Sequence, residues 1–227
     1  MPDAVIFDLD GVLADSERLW NEAKEALTRE TGGTWREGAP VAMLGMSSPE
    51  WSSYLHDELG VPLEPREIVR RVVARMVELY RERHPVLPGA PQSVRAIAAR
   101  WPVGLASSSN REIIELFLDV SGLASRFAAT VSSEEVARGK PAPDVYLEAA
   151  RRIGVPAAGC VAVEDSSNGL RSAAAADMTI IAVPNPDYPP SEDALALAAL
   201  QVQEIALVTP ELIERAAARR PAKQGGR

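Results

Sequence analysis

Cysteine occurs once and histidine twice in this chain of 227 residues. A single thiol, Cys160, cannot close an internal disulfide and fits a reducing compartment. It opens the apolar run Cys160-Val161-Ala162-Val163 and reads as a small core residue. One cysteine with His56 and His84 makes no zinc-type cluster of sulfur and imidazole ligands. His56 lies in the helical-looking Leu55-His56-Asp57 and His84 precedes Pro85, so both read as solvated or hinge positions. Positive charge is also short: 24 Lys and Arg against 32 Asp and Glu leave a net charge of −8, which argues against nucleic-acid or anionic-membrane partners. No stretch reaches the roughly 18 apolar residues of a membrane span. The N-terminus enters strand-like sequence without a basic region and long apolar segment, so no secretory signal is expected. A cytoplasmic protein is the expectation. There is no internal repeat.

What is present suffices for one large domain, or one domain with an insertion: 46% of residues are hydrophobic and 25% charged. Short apolar runs at 5–7, 103–106, 128–131, 161–163 and 179–183 read as strands. Helical periodicity follows at 91–100, 111–120 and 144–153, the last with Gly154 as a C-terminal cap. Strands alternating with helices predict an α/β fold built on a doubly wound parallel sheet. From 16 to 83 the alternation breaks, leaving helices at 16–30, 48–59 and 64–83. Ser48-Pro49-Glu50 is a helix start with a capping serine, and Gly32-Gly33 and Gly38-Ala39-Pro40 mark loops. The expected organisation is an α/β core (1–15 and 84–218), an inserted helical cap (16–83) and a frayed tail (219–227).

Ligands on such sheets bind beyond the carboxyl ends of the strands, and four chemical pieces fall there. Asp8 and Asp10 follow the first strand, with Gly11 turning the chain. Two carboxylates that close are costly unless a cation or proton lies between them. Ser107-Ser108-Ser109-Asn110 follows the second strand and leads into a helix, a hydroxyl-rich anion cradle, although Asn110 is equally well read as the cap of that helix. Lys140 sits in the proline-stiffened Gly139-Lys140-Pro141-Ala142-Pro143-Asp144. Glu164-Asp165 ends the fourth strand, before Ser166-Ser167-Asn168-Gly169. Few hard carboxylate oxygens suit magnesium bound together with a phosphate, and lysine and serine would orient a phosphoryl group. Asp8 is then free to attack phosphorus, with Asp10 as acid and base.

In this order the four segments resemble the motifs of the haloacid dehalogenase superfamily, over nearly the whole chain including the helical insertion. The resemblance implies Asp8 as nucleophile, Asp10 as acid/base, and Ser107 and Lys140 on the phosphoryl group. It implies magnesium on the Asp8 side chain, the Asp10 backbone carbonyl and Asp165, with Glu164 a further ligand or a support to one. The nearest subgroup is similar to β-phosphoglucomutase and the small sugar-phosphate phosphatases. Such mutases carry a histidine, an arginine and a lysine in the cap where this chain has Trp20, the turn Gly45-Met46-Ser47-Ser48-Pro49, and Met76. A phosphatase acting on a small phosphorylated molecule is therefore expected, as a monomer or at most a dimer. The alternatives are a phosphosugar mutase and a binding protein without turnover. The dehalogenase branch does not need Asp10. The phosphonatase branch needs a Schiff-base lysine in the cap, where the one lysine, Lys24, reads as solvated. Substrate contacts are expected from Ser16, Trp20 and Gly45 in the cap and from Ser108 and Asn110 in the core; Trp20 and Trp51 also read as cap packing. Glu134-Glu135 and Arg151-Arg152 read as solvated faces.

Overall fold

The computed structural model describes residues 1–44 and 46–219. Six strands, β1 (Ala4–Phe7), β2 (Val103–Ser107), β3 (Ala129–Ser132), β4 (Cys160–Glu164), β5 (Thr179–Ala182) and β6 (Leu200–Gln201), form one sheet in the order β3-β2-β1-β4-β5-β6. Every neighbouring pair is parallel. Both faces are covered, which is why the inner strands are apolar without alternation. Val5, Phe7, Leu105 and Val163 face one core with Ile97, Phe117 and Ile213. Ala4, Ile6, Ala106 and Ala162 face the other with Tyr146, Ala149 and Leu170. The helices supplying those residues are α5 (Ala90–Ala98), α6 (Arg111–Ser121) and α10 (Pro210–Ala218) on the first face, and α7 (Asp144–Ile153) and α8 (Ser167–Ala175) on the second. The sheet is the α/β, doubly wound arrangement expected.

Between β1 and α5 the described chain forms only helices: α1 (Glu17–Glu30), α2 (Ala39–Ala42), α3 (Ser48–Asp57) and α4 (Pro65–Arg83). They share a core of Leu19, Ala23, Leu27, Leu55, Ile68, Val72, Met76 and Tyr80. The two crossings between these helices and the sheet run side by side. Asp15 N–H donates to the Pro85 carbonyl (2.7 Å) and Leu87 N–H to the Leu13 carbonyl (2.9 Å). His84 ends α4 in the left-handed region (φ 45°).

Several expectations are corrected. Gly38-Ala39-Pro40 opens the short helix α2 rather than a loop. The N-cap of α3 is Ser47, whose N–H and Oγ both donate to Glu50 Oε2 (2.7 and 2.6 Å); Ser48 is left free for another partner. Strand β6 and helices α8, α9 (Glu192–Leu195) and α10 were not read from the sequence. Arg219 caps α10; the rest of the expected tail lies outside the described residues. No described helix is long and apolar enough to cross a membrane.

Candidate active site

The strand order reverses between β1 and β4, so the crevice for ligands opens at their carboxyl ends. β1 delivers Asp8 there and β4 delivers Glu164 and Asp165. Lys140, from the loop before α7, reaches in from the side: its Nζ donates to Asp8 Oδ1 at 2.6 Å and to Glu164 Oε1. Glu164 is fully buried, and both of its oxygens are occupied. Oε1 also accepts from Tyr146 Oη (2.9 Å). Oε2 accepts from Asp165 N–H (3.0 Å), Ser166 N–H (3.2 Å) and Ser166 Oγ (3.2 Å). Burial works against the Lys140 ammonium, but Asp8 and Glu164 outweigh it and raise its pKa. Burial raises the Asp8 carboxyl well above the usual range, with Lys140 pulling the other way. Burial, reinforced by Glu164, does the same to Asp165. Asp8, Glu164 and Asp165 each offer an oxygen, all within 4.8 Å of one another. Three crowded buried carboxylates facing one ammonium, with hard oxygen donors, fit a divalent cation.

Asp10 has different surroundings. Its Oδ1 accepts from Ser16 Oγ and from Trp20 Nε1 (3.2 Å), its Oδ2 from Ser109 Oγ (2.6 Å) and Ser107 Oγ (3.3 Å). Its carboxylate is therefore held between the helices of the insertion and the serines after β2, while Asp8 stays on the Lys140 floor. Gly11 makes the close turn possible: its φ is +82°, and a Cβ there would stand 1.9 Å from Asp165 Oδ2. Ser107 is fully buried and its Oγ also accepts from Ser109 N–H (2.9 Å). Ser108, Ser109 and Asn110 line the cleft itself. Asn110 is the N-cap residue of α6 without a side-chain cap bond. Its side chain donates to Glu134 and accepts from Ser48 Oγ (3.1 Å), linking α3 to the sheet.

The opposite wall of the cleft comes from the insertion: Glu17, Trp20, Lys24, Met43, Met46, Ser48 and Trp51. Lys24 corrects the sequence reading. It is 6% exposed rather than solvated, with its Nζ 5.6 Å from the Trp20 ring and 5.2 Å from the Trp51 ring. Its pKa is lowered to about 8, chiefly by burial. Burial, then Asp10, raises Glu17 to about 7. Trp20 and Trp51 both pack in the cap core and face the cleft, their ring centroids 6.2 Å apart. Ser16 is fully buried, its hydroxyl donated to Asp10. Gly45 lies outside the described residues. Glu134 and Glu135 are exposed as expected, but each also holds partners. Glu134 accepts from Asn110 and Arg111, while Glu135 accepts from Arg111 and Ser132 N–H and pairs with Arg152.

Sequence reasoning passed over Glu17 and Tyr146, read Lys24 as solvated, and gave Ser109, Ser166 and Asn168 no role of their own. For Ser109, Ser166 and Asn168 the signal was present, since each belongs to a polar segment at a strand end. Tyr146 reads as one more apolar position of α7, and only the fold brings its hydroxyl beneath Glu164.

A sequence model of the haloacid dehalogenase-like hydrolases matches residues 2–177. Hexitol phosphatase B of Escherichia coli (strain K12) is 37% identical over 190 residues, 81% of this chain and 84% of that protein. A probable pseudouridine-5'-phosphatase of Drosophila melanogaster is 32% identical over 188 residues, 80% and 81% of the two chains. Among solved structures, CbbY from Rhodobacter sphaeroides in complex with phosphate superposes with a TM-score of 0.84 at 26% identity, covering 94% of this chain and 100% of that one.

Proposed function

The chain belongs to the haloacid dehalogenase-like hydrolases and is a phosphatase of that family; from that premise we propose that it hydrolyses a small phosphate monoester, a sugar or polyol phosphate, through an aspartyl-phosphate on Asp8 with magnesium as cofactor. The observation that carries the reading is the separation of two carboxylates only two residues apart. Asp8 lies in the buried cluster with Lys140, and Asp10 is held out of that cluster, between Ser16 and Trp20 of the cap and Ser107 and Ser109 of the core. Two carboxyl groups in unlike surroundings can divide nucleophilic and acid/base work.

An Asp8 carboxylate oxygen attacks phosphorus, and the bond from phosphorus to the ester oxygen breaks. Asp10, on the side of the leaving group, gives that oxygen its proton. Asp10 then takes a proton from the water that attacks the aspartyl-phosphate, and the bond between phosphorus and Asp8 breaks to release inorganic phosphate. Lys140 holds Asp8 and neutralises the phosphoryl group; Ser108 and Asn110 line the anion cradle, and Ser107 beneath it holds Asp10. Asp8, Asp165 and the Asp10 carbonyl would hold the magnesium ion, which supplies charge neutralisation at the phosphoryl oxygens. Glu164, which holds Lys140, would stand beside that ion as a further or supporting oxygen donor. Residues 16–83 act as a cap that encloses the leaving group and excludes water, in a cytoplasmic enzyme that works as a monomer.

The test is p-nitrophenyl phosphate and a panel of sugar and polyol phosphates, with magnesium and with a chelator. Magnesium-dependent release of phosphate that disappears in Asp8→Asn is expected. Activity indifferent to chelation, or surviving Asp8→Asn, would overturn the mechanism. With Trp20 in place and Met76 fully buried in the cap core, glucose 1-phosphate should be hydrolysed rather than isomerised; a coupled glucose 6-phosphate assay reads this directly.

A further inference from the structure

Lys24 is a largely buried cation that feels the charges of Glu17 and Asp10 but has no hydrogen-bond acceptor among the described residues. Its side chain is more than nine-tenths buried and lines the cleft. Among the described residues its Nζ has the two indole faces of Trp20 and Trp51 as partners, and neither a hydrogen bond nor an ion pair. The indoles hold the ammonium in place by attraction to their ring faces, but they satisfy none of its three N–H donors. The side chain is buried but its Nζ is open to the cleft, since Tyr80 Oη alone is a fully buried polar atom without a partner among the described residues, so a ligand in the cleft can reach the N–H donors that the protein leaves unused. Glu17 lies two turns earlier on the same face of α1 and on the same wall of the cleft. Its carboxylate likewise accepts no hydrogen bond among the described residues.

Resting on the phosphatase reading above, we propose that Lys24 is the specificity-determining residue of the cap and takes the hydroxyl-bearing end of a polyol or sugar phosphate, with Glu17 as its complementary acceptor. A hydroxyl both accepts and donates, so neighbouring hydroxyls of one leaving group satisfy Lys24 and Glu17 together. A second acidic group on the substrate would accept from Lys24 but offer nothing to Glu17, and would bring another negative charge toward Glu17 and Asp10. Trp20 and Trp51 supply apolar faces for the carbon chain between the hydroxyls. The core sees only the phosphoryl group, so discrimination among esters falls to this wall.

Lys24→Met keeps the stem that lies along the indoles and removes the donors. Values of kcat/KM are measured for glucitol 6-phosphate, 2-phosphoglycolate and p-nitrophenyl phosphate. The wild-type protein should prefer glucitol 6-phosphate to 2-phosphoglycolate. In Lys24→Met the ratio of glucitol 6-phosphate to p-nitrophenyl phosphate should fall by about tenfold or more, mainly through KM. Lys24→Gln, which keeps a donor without the charge, should recover part of it and serves if the methionine variant does not fold. A ratio unchanged within about twofold in both variants would make Lys24 a packing residue and overturn the proposal. A wild-type preference for 2-phosphoglycolate that Lys24→Met abolishes would overturn the hydroxyl assignment in favour of an anion. Hydrolysis of p-nitrophenyl phosphate with no preference for hydroxyl-bearing esters overturns this inference alone. No hydrolysis of any ester in magnesium overturns the phosphatase reading and this inference with it.

Discussion

Lys24 shows how far a residue's chemistry depends on what the fold brings to it. In sequence it stands among Asn21, Glu22, Ala23 and Glu25, a charged stretch indistinguishable from a wet helix face. Trp51, 27 positions later, closes over it, and nothing local in the sequence announces that contact. Asp8, Asp10, Lys140 and Asp165 were legible because each follows a strand-like run or stands in a stiff loop, where the side chain's position follows from the backbone. The buried ammonium also bears on stability. Its folded-state pKa is about 8 against an ordinary 10.5, so between pH 8 and 10.5 the unfolded chain binds more protons at this site, and stability rises with pH across that window. Below pH 8 the charge costs up to about 3 kcal/mol, at about 1.4 kcal/mol per pKa unit, after the attraction of Glu17 and Asp10 has offset part of the burial. Glu17 has the opposite sign: its pKa is raised from 4.5 to about 7, so its ionisation lowers stability as pH rises from 4.5 to 7. Lys24→Met is therefore expected to be more stable than wild type at pH 7 by about 1 to 3 kcal/mol, a rise in Tm of several degrees. The difference between the two stability curves should shrink from pH 8 to 10.5. A variant less stable at pH 7, or curves that stay parallel, would contradict this. A residue that weakens the fold while facing the cleft is the pattern expected of function rather than packing.

At the scale of elements, the strands and the helices with large apolar stripes could be read from sequence, and the small-residue helices could not. Helix α8 (Ser-Asn-Gly-Leu-Arg-Ser-Ala-Ala-Ala) carries one large apolar side chain, Leu170, too few to show a period. Strand β6 has two residues and exists because it pairs with β5, not because of its own sequence. The small residues of α8 have a structural reason. Its N-terminal turn passes directly over Glu164, and a Cβ at Gly169 would stand 1.8 to 2.0 Å from that carboxylate's atoms. Glu164 could move aside only by giving up donors from Asp165, Ser166 and Tyr146, and with them its hold on Lys140. Gly169→Ala is therefore expected to cost about 1 to 3 kcal/mol of stability by overpacking, with a loss of kcat of tenfold or more under conditions where the variant is still fully folded. Thermal melts and steady-state kinetics on one preparation separate the two effects. A variant destabilised but fully active when folded would show that Glu164 does not govern the lysine.

Over the whole molecule, the cleft is closed by contacts of two physical kinds between the inserted helices and the sheet. Ser48 Oγ to Asn110 Oδ1 (3.1 Å) is a neutral bond between buried residues. Arg18 to Asp187 (2.6 Å) is an ion pair in solvent, its side chains 70% and 52% exposed, with Asn21 Nδ2 to Tyr188 Oη (3.3 Å) beside it. All of these side chains lie far apart in sequence, so the closed arrangement was not legible there, whereas the paired crossings at 13–15 and 85–87 were suggested by where the helical stretch begins and ends. A neutral buried bond contributes about 1 kcal/mol whatever the salt. An exposed ion pair contributes little, and that little is screened within a Debye length of about 10 Å at 0.1 M. If closure precedes chemistry, each contact enters kcat/KM through the closed population. Arg18→Ala should then lower kcat/KM by a few-fold at most in dilute buffer. The ratio of wild type to this variant should fall toward one as sodium chloride rises to 0.5 M, where screening lies between the 0.1 M and 1 M limits of about 10 and 3 Å. Ser48→Ala should lower it by a similar factor that salt leaves unchanged. Asp187→Asn breaks the same ion pair while changing the net charge in the opposite direction, so an equal salt-dependent fall in both variants separates loss of the pair from altered attraction for the anionic substrate. Arg18→Ala and Ser48→Ala ratios that respond to salt in the same way would mean that these contacts do not set the closed population.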